Sequence, residues 1–180
     1  MGHPMEEVFA TADCLYPQEA VESALDQLAS AIGARLADRD PLVLCVLTGG
    51  IPTVGHLLTR LVFPLHLDYL HATRYRNQTA GGALTWVARP KTPLVDRVVL
   101  VVDDILDEGI TLHAILEECR KAGAAEVLSA VLVRKDRPRA VDVCPDFVGL
   151  EIPDRYVFGY GLDYHGYWRN APGIYAVRGL

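Results

Sequence analysis

Five consecutive apolar residues, Val98-Val99-Leu100-Val101-Val102, run directly into Asp103-Asp104. After Asp107-Glu108-Gly109 the pattern becomes helical from Thr111 to Ala122, closed by Gly123. An apolar run this short, held between Arg97 and Asp103, is too brief to cross a bilayer and has the composition of a strand buried on both faces, as in a parallel sheet. Glu126 to Val133 reads as the next strand, which completes a βαβ unit. The right-handed crossover of such units puts the Asp103 to Gly109 loop at a carboxyl strand end, where open α/β sheets carry their ligands.

The chain around this unit repeats the alternation. Ala20, Val21, Ala24, Leu25, Leu28, Ile32 and Leu36 recur at helical spacing between Pro17 and Arg39, and Pro41 precedes a buried strand over Leu42 to Leu47. Beyond the Gly49-Gly50 turn, Pro52 to Leu61 predicts a short helix and Leu65 to Leu70 a strand. The polar run Arg74 to Thr79 with Gly81-Gly82 marks a long hairpin or mobile loop ahead of a strand at Ala83 to Ala88. Phe147 to Leu180, rich in Gly, Tyr and Asp, reads as short irregular strands too few to form a domain of their own. The expected fold class is α/β with a central, mainly parallel sheet, in one domain spanning 1–180; with 51% apolar residues a chain of this size buries roughly 70% of its unfolded surface without needing a metal or cross-link.

Charge and motif content exclude several functions. A net charge of −6, from 23 acidic against 17 basic residues, argues against a broad nucleic-acid surface. No nucleic-acid partner is expected. Cys14, Cys45, Cys119 and Cys144 are widely spaced without a CxxC pair, which predicts buried thiols in a reducing compartment. MGHPMEEVFA has neither a basic nor an apolar leader region, and no apolar run approaches 18 residues, so a cytoplasmic location and no membrane partner are expected. GxGxxG, GxxxxGK[ST] and HExxH are all absent.

The acids that follow Val102 suit one ligand chemistry in particular. Free N–H groups at a helix start and the positive end of its dipole hold a monophosphate, Gly109 lets the backbone approach closely, and Thr111 offers a hydroxyl donor. Asp103 and Asp104 suit ribose hydroxyls or a divalent ion. The same carboxylates would also serve as ordinary helix caps and solvating groups, which spacing alone leaves open.

The stretch VLVVDDILDEGITL resembles the phosphoribosyl diphosphate signature of the purine phosphoribosyltransferases, in their hypoxanthine-guanine branch with the type I fold: two acids, two apolar residues, Asp, Thr, Gly, any residue, Thr. Glu108 stands where that family usually has Thr. The resemblance assigns donor binding to Asp103, Asp104, Ile105, Leu106, Glu108, Gly109, Ile110 and Thr111. Leu47-Thr48-Gly49-Gly50 resembles the family's diphosphate loop, with Thr48 where Lys or Arg often stands, and implies a non-proline cis peptide there and substrate contacts from Thr48 and Gly49. Arg74 and Tyr75 fall where the family has the Ser-Tyr of its mobile loop.

PDFVGLEIPDRYVFGYGLDY, followed by Arg169, resembles the family's purine-binding segment. By that resemblance Tyr156 stacks on the purine, the Val157 main chain reads its Watson–Crick edge, Lys135 donates to the oxygen at purine position six, and Arg169 meets the diphosphate. Mg²⁺ is the implied cofactor, held by Asp163 with Asp103 and Asp104. Asp107 is the implied catalytic proton acceptor at purine N7. The resemblance further implies a hood from the N-terminal segment and roughly 145–180, phosphoribosyl diphosphate and a 6-oxo purine as substrates, and a homodimer or homotetramer. Hypoxanthine and guanine are the expected bases. Xanthine or another oxo-base, or a ligand-sensing regulator on the same fold, are the alternatives.

Overall fold

A computed structural model describes residues 4–74 and 84–179. The expectations for Tyr75, for the Arg74 side chain and for the loop through Gly82 lie outside the described residues. The elements run α1 (Pro4–Thr11), β1 (Asp13–Tyr16), α2 (Gln18–Leu36), β2 (Leu42–Val46), α3 (Gly50–Leu58), β3 (His66–Arg74), β4 (Leu84–Ala88), β5 (Val98–Leu106), α4 (Ile110–Lys121), β6 (Glu126–Asp136), β7 (Phe147–Pro153), β8 (Val157–Phe158) and β9 (Ile174–Ala176).

Six strands form the main sheet in the order β4-β3-β2-β5-β6-β7, parallel throughout except for β4 at one edge. Successive residues of β5 point to opposite faces, so Leu100 and Val102 enter one core cluster while Val99 and Val101 enter the other. That is why this strand carries no polar residue before Asp103. On the first face α2 contributes Val21, Leu25, Leu28, Ile32 and Leu36, all buried at helical spacing. On the second, α4 contributes Leu112, Ile115, Leu116 and Cys119. The α/β expectation with a mainly parallel sheet is met.

Several boundaries differ from the sequence reading, each for a physical reason. β5 does not stop at Val102. Its pairing with β6 continues to Leu106 opposite Arg134, so Asp103 and Asp104 sit on the strand and only the residues after Leu106 form the loop. β6 likewise runs to Asp136 because β7 pairs with it out to Pro153, and Lys135 therefore lies within a strand. α3 starts at Gly50, with Pro52 in its first turn, where a missing N–H costs no helical hydrogen bond. Phe147–Pro153 is a full strand of the main sheet, which corrects the irregular reading of that stretch and the hood boundary near 145. Cys14 and Cys144 are exposed; Cys45 and Cys119 are buried, and all four thiols are free.

A second, antiparallel sheet, β1-β9-β8, joins residues near both ends of the chain. α1, which the sequence reading did not anticipate, packs here. Phe9 stacks on Trp168 with ring centroids 4.9 Å apart, and Trp168 Nε1 donates to the Met5 carbonyl at 2.8 Å. Among the described residues no helix is long and apolar enough to cross a membrane.

Candidate active site

The carboxyl end of β5 meets the loop after β2 through a contact that only glycine permits. Asp104 is 8% exposed, and a Cβ built on Gly49 would lie 1.8 Å from its Oδ2. The peptide between Leu47 and Thr48 is cis, as the resemblance implied, and Thr48 is exposed at the turn. Gly161, at φ 106°, closes on the other side, where its own Cβ would come 2.0 Å from the Gly49 carbonyl oxygen. Arg169 Nη1 donates to the Gly161 carbonyl while Nη2 pairs with Asp163 Oδ1 at 2.6 Å. Asp104, Gly49, Gly161, Arg169 and Asp163 are thus linked in one continuous chain of contacts.

The electrostatics of this end are set by burial. Desolvation pushes the Asp103 carboxyl well above the usual range, reinforced by the charge of neighbouring Asp104. Asp104 is pushed up by desolvation too, opposed by its hydrogen bond with Asp103 and by the Arg169 charge. Two neighbouring carboxylates whose charged forms are disfavoured gain from hydroxyl donors or from a hard cation. Among the described residues no three His, Cys, Asp or Glu side chains converge, and Asp163 Oδ2 accepts from the Gly166 N–H at 2.7 Å. This donor set fits Mg²⁺, which takes one or two carboxylates and fills its remaining positions with water and substrate oxygens.

β5 then gives way to a left-handed glycine. Gly109, at φ 83°, is the N-cap of α4 and has no side-chain cap; a Cβ there would strike Val143 Cγ1 at 2.5 Å. The first-turn N–H groups of α4 are left available to an anion, with Ile110 and Thr111 half-buried beside them and Glu108 at the surface. Leu106 is different. Its side chain is 1% exposed in the core, whereas Ile105 is only partly buried.

Beside this turn, β5 and β6 bring opposite charges together. Lys135 Nζ donates to Asp107 Oδ2 at 3.0 Å, and Arg137 Nη1 donates to Asp107 Oδ1 at 2.9 Å. Asp154 receives both cations more loosely, Lys135 at 3.5 Å and Arg137 at 3.4 Å. Lys135 is 9% exposed. The sequence reading named Asp107 and Lys135 but missed Arg137 and Asp154. The available signal was strand alternation, which puts residues 135 and 137 on one face of β6 and its extension.

Tyr156, two residues after Asp154, is exposed, with Tyr164 edge-on at 5.4 Å and the His165 ring nearly parallel at 6.5 Å. An accessible phenol ring offers a planar heterocycle a stacking face. Val157 is buried in β8 opposite Ala176, with its side chain in the core.

Comparison with known proteins gives consistent matches. A family model described as phosphoribosyl transferase domain covers residues 11–165. A hypoxanthine-guanine-xanthine phosphoribosyltransferase of Tritrichomonas foetus is 35% identical over 89% of this chain and 88% of its own length. A hypoxanthine-guanine phosphoribosyltransferase of Bacillus subtilis is 31% identical over 99% and 96%. A crystal structure of a hypoxanthine-guanine phosphoribosyltransferase from Bacillus anthracis superposes with a TM-score of 0.87 at 28% identity, covering 92% of this chain and 98% of that one.

Proposed function

The chain belongs to the phosphoribosyl transferase family, and from that premise we propose that it transfers the 5-phosphoribosyl group of 5-phosphoribosyl 1-diphosphate to N9 of hypoxanthine or guanine, releasing diphosphate. It is a purine-salvage transferase. The observation that carries the choice of base is the Lys135–Asp107 pair at 3.0 Å. A 6-oxo purine presents an acceptor oxygen beside N7, and a lysine can only donate. Adenine, with an amino group at position six, has no acceptor there for Lys135.

The residues divide the work between donor and acceptor. The α4 N-terminus and Thr111 bind the 5-phosphate, with Gly109 allowing its close approach. Asp103 and Asp104 hold ribose hydroxyls, and their negative charge favours the ribose ring more strongly as it becomes cationic in the transition state. Thr48, Gly49 and Arg169 receive the diphosphate, together with Arg74 and Tyr75. Tyr156 stacks on the purine, the Val157 main chain reads its edge, and Lys135 donates to O6. Asp107 accepts the proton at N7.

Asp163, with Asp103 and Asp104 acting through water, would hold Mg²⁺, which when bound would neutralise charge on the leaving diphosphate. Assembly into a homodimer or homotetramer and a cytoplasmic location belong to the same proposal; four free thiols suit a reducing compartment. Light scattering of the purified protein measures the first, and fractionation the second.

The test is nucleotide formation from the phosphoribosyl donor and Mg²⁺ with hypoxanthine, guanine, xanthine or adenine. Turnover of hypoxanthine or guanine is the expected result. Preference for xanthine would move this chain toward the relative whose name includes that base. Preference for adenine would overturn the role of Lys135, and no product with any base would overturn the enzymatic reading.

A further inference from the structure

Resting on the purine-transfer reading, we propose that Arg137 is a positioning residue for the acceptor base: with Asp154 it completes a neutral charge quartet that keeps one Lys135 N–H turned toward the purine. The quartet has two cations and two carboxylates, with contacts of 2.9 Å and 3.0 Å to Asp107 and 3.4 Å and 3.5 Å to Asp154. An ammonium has three donors. Asp107 takes one of those on Lys135 as a hydrogen bond and Asp154 draws a second by its charge at 3.5 Å, which leaves one for the oxygen at purine position six. Each oxygen of Asp107 has a second lone pair, so the carboxylate can stay in the quartet and still face N7.

Arg137 makes this balance possible. The side chain of Lys135 is 11% exposed, so little water reaches it to offset an uneven charge. Without Arg137, two carboxylates would draw on a single ammonium and turn its third donor away from the base. Arg137 Nε is buried and has no hydrogen-bond partner among the described residues, so the side chain holds its place through its guanidinium end, at the cost of an unsatisfied donor. A guanidinium whose purpose was surface solubility would turn outward and solvate that group.

The experiment is steady-state kinetics on the full chain with hypoxanthine and the phosphoribosyl donor, with thermal unfolding alongside. In Arg137→Met the hypoxanthine KM should rise about tenfold or more while the donor KM stays within about twofold. Arg137→Lys keeps the charge but loses the planar guanidinium whose Nη1 reaches both carboxylates, and should give a smaller rise of roughly threefold. Adding Asp154→Asn to Arg137→Met restores neutrality and should return the hypoxanthine KM to within about threefold of wild type. An unchanged hypoxanthine KM in an active Arg137→Met protein overturns the proposal and leaves the purine-transfer reading standing. Equal losses in both KM values with a lowered Tm, or no recovery in the double variant, also overturn it. If Arg137→Met does not fold, Arg137→Lys decides by the same KM split. A wild-type protein that forms no nucleotide overturns both.

Discussion

The carboxylate of Asp104 occupies the space that any side chain at position 49 would need, since a Cβ on Gly49 would fall 1.8 Å from Oδ2. Strand β5 and the loop after β2 are therefore fitted to each other at the proposed diphosphate and ribose sites. Neither can be altered alone.

Gly49→Ala should displace either the loop or Asp104. Overpacking of this kind costs about 1–3 kcal/mol, which in a chain of this length lowers Tm by roughly 3–10 °C. Turnover should fall much further than stability, on the order of 100-fold, because a displacement of about 1 Å at a positioning site has that effect. Calorimetry beside the hypoxanthine assay separates the two; wild-type turnover would mean that the loop does not bear on catalysis.

Asp107→Asn should reduce kcat by about 100-fold or more, the usual yield of a general base, with cooperative unfolding retained. The carboxylate is 41% exposed, so its loss does not open the core. A variant that turns over hypoxanthine at the wild-type rate would remove Asp107 from the proton-transfer role.

Lys135→Ala should raise the hypoxanthine KM by roughly 10- to 100-fold, the range expected for losing a charged hydrogen bond, and should narrow the preference over adenine. Competition between the two bases at fixed donor concentration reads this directly. Unaltered kinetics for both bases would contradict the recognition role.

Stability should carry a pH signature from Glu22, on α2. Its carboxylate accepts from the Tyr160 hydroxyl and from Arg60, with His56 Nδ1 at 3.4 Å. The Tyr160 bond is the largest influence; burial opposes it, and Arg60 and the His56 charge reinforce it, so the carboxyl is held below its ordinary value of 4.5. A depressed carboxylate stabilises the fold at pH values above its unfolded value, and that contribution is lost as the pH falls through the lower, folded value. Glu22→Gln should therefore lower Tm at pH 7 by roughly 3–6 °C, a loss of about 1–2 kcal/mol. Below pH 4.5 the gap to wild type should shrink. A gap that is constant across acid pH would show that the pair does not hold Glu22 ionised.

The parts of the fold that could be read from sequence were those whose burial is written in local pattern. Val98–Val102 and the α2 stripe face the core on their own evidence, and the acidic motif fixed where the site would be. The strand ends were hidden because Asp103, Asp104 and Lys135 look like loop residues, whereas the ladders run on past them, with Asp103 opposite Val131, Leu106 opposite Arg134 and Lys135 opposite Ile152, and keep them extended. Arg137 was missed for a similar reason: its partners lie 30 and 17 residues away, and only its alternation with Lys135 sets it apart from the arginines beside it. α1 is an eight-residue helix that depends on Phe9 meeting Trp168, a contact no window of sequence contains.

Strand β9 lies between β1 and β8. During synthesis the ribosome releases β1 early, yet its sheet partner emerges more than 150 residues later, at Ile174–Ala176. The main sheet can assemble while β1 waits, but β8, which follows Tyr156 directly, has no neighbour to pair with until the same late strand arrives. A nascent or shortened chain ending before Ile174 would carry the proposed donor residues of β5 on the main sheet while β1 and β8 had no strand to pair with. The order of translation thus makes the proposed acceptor side wait on β9 after every strand of the main sheet has emerged.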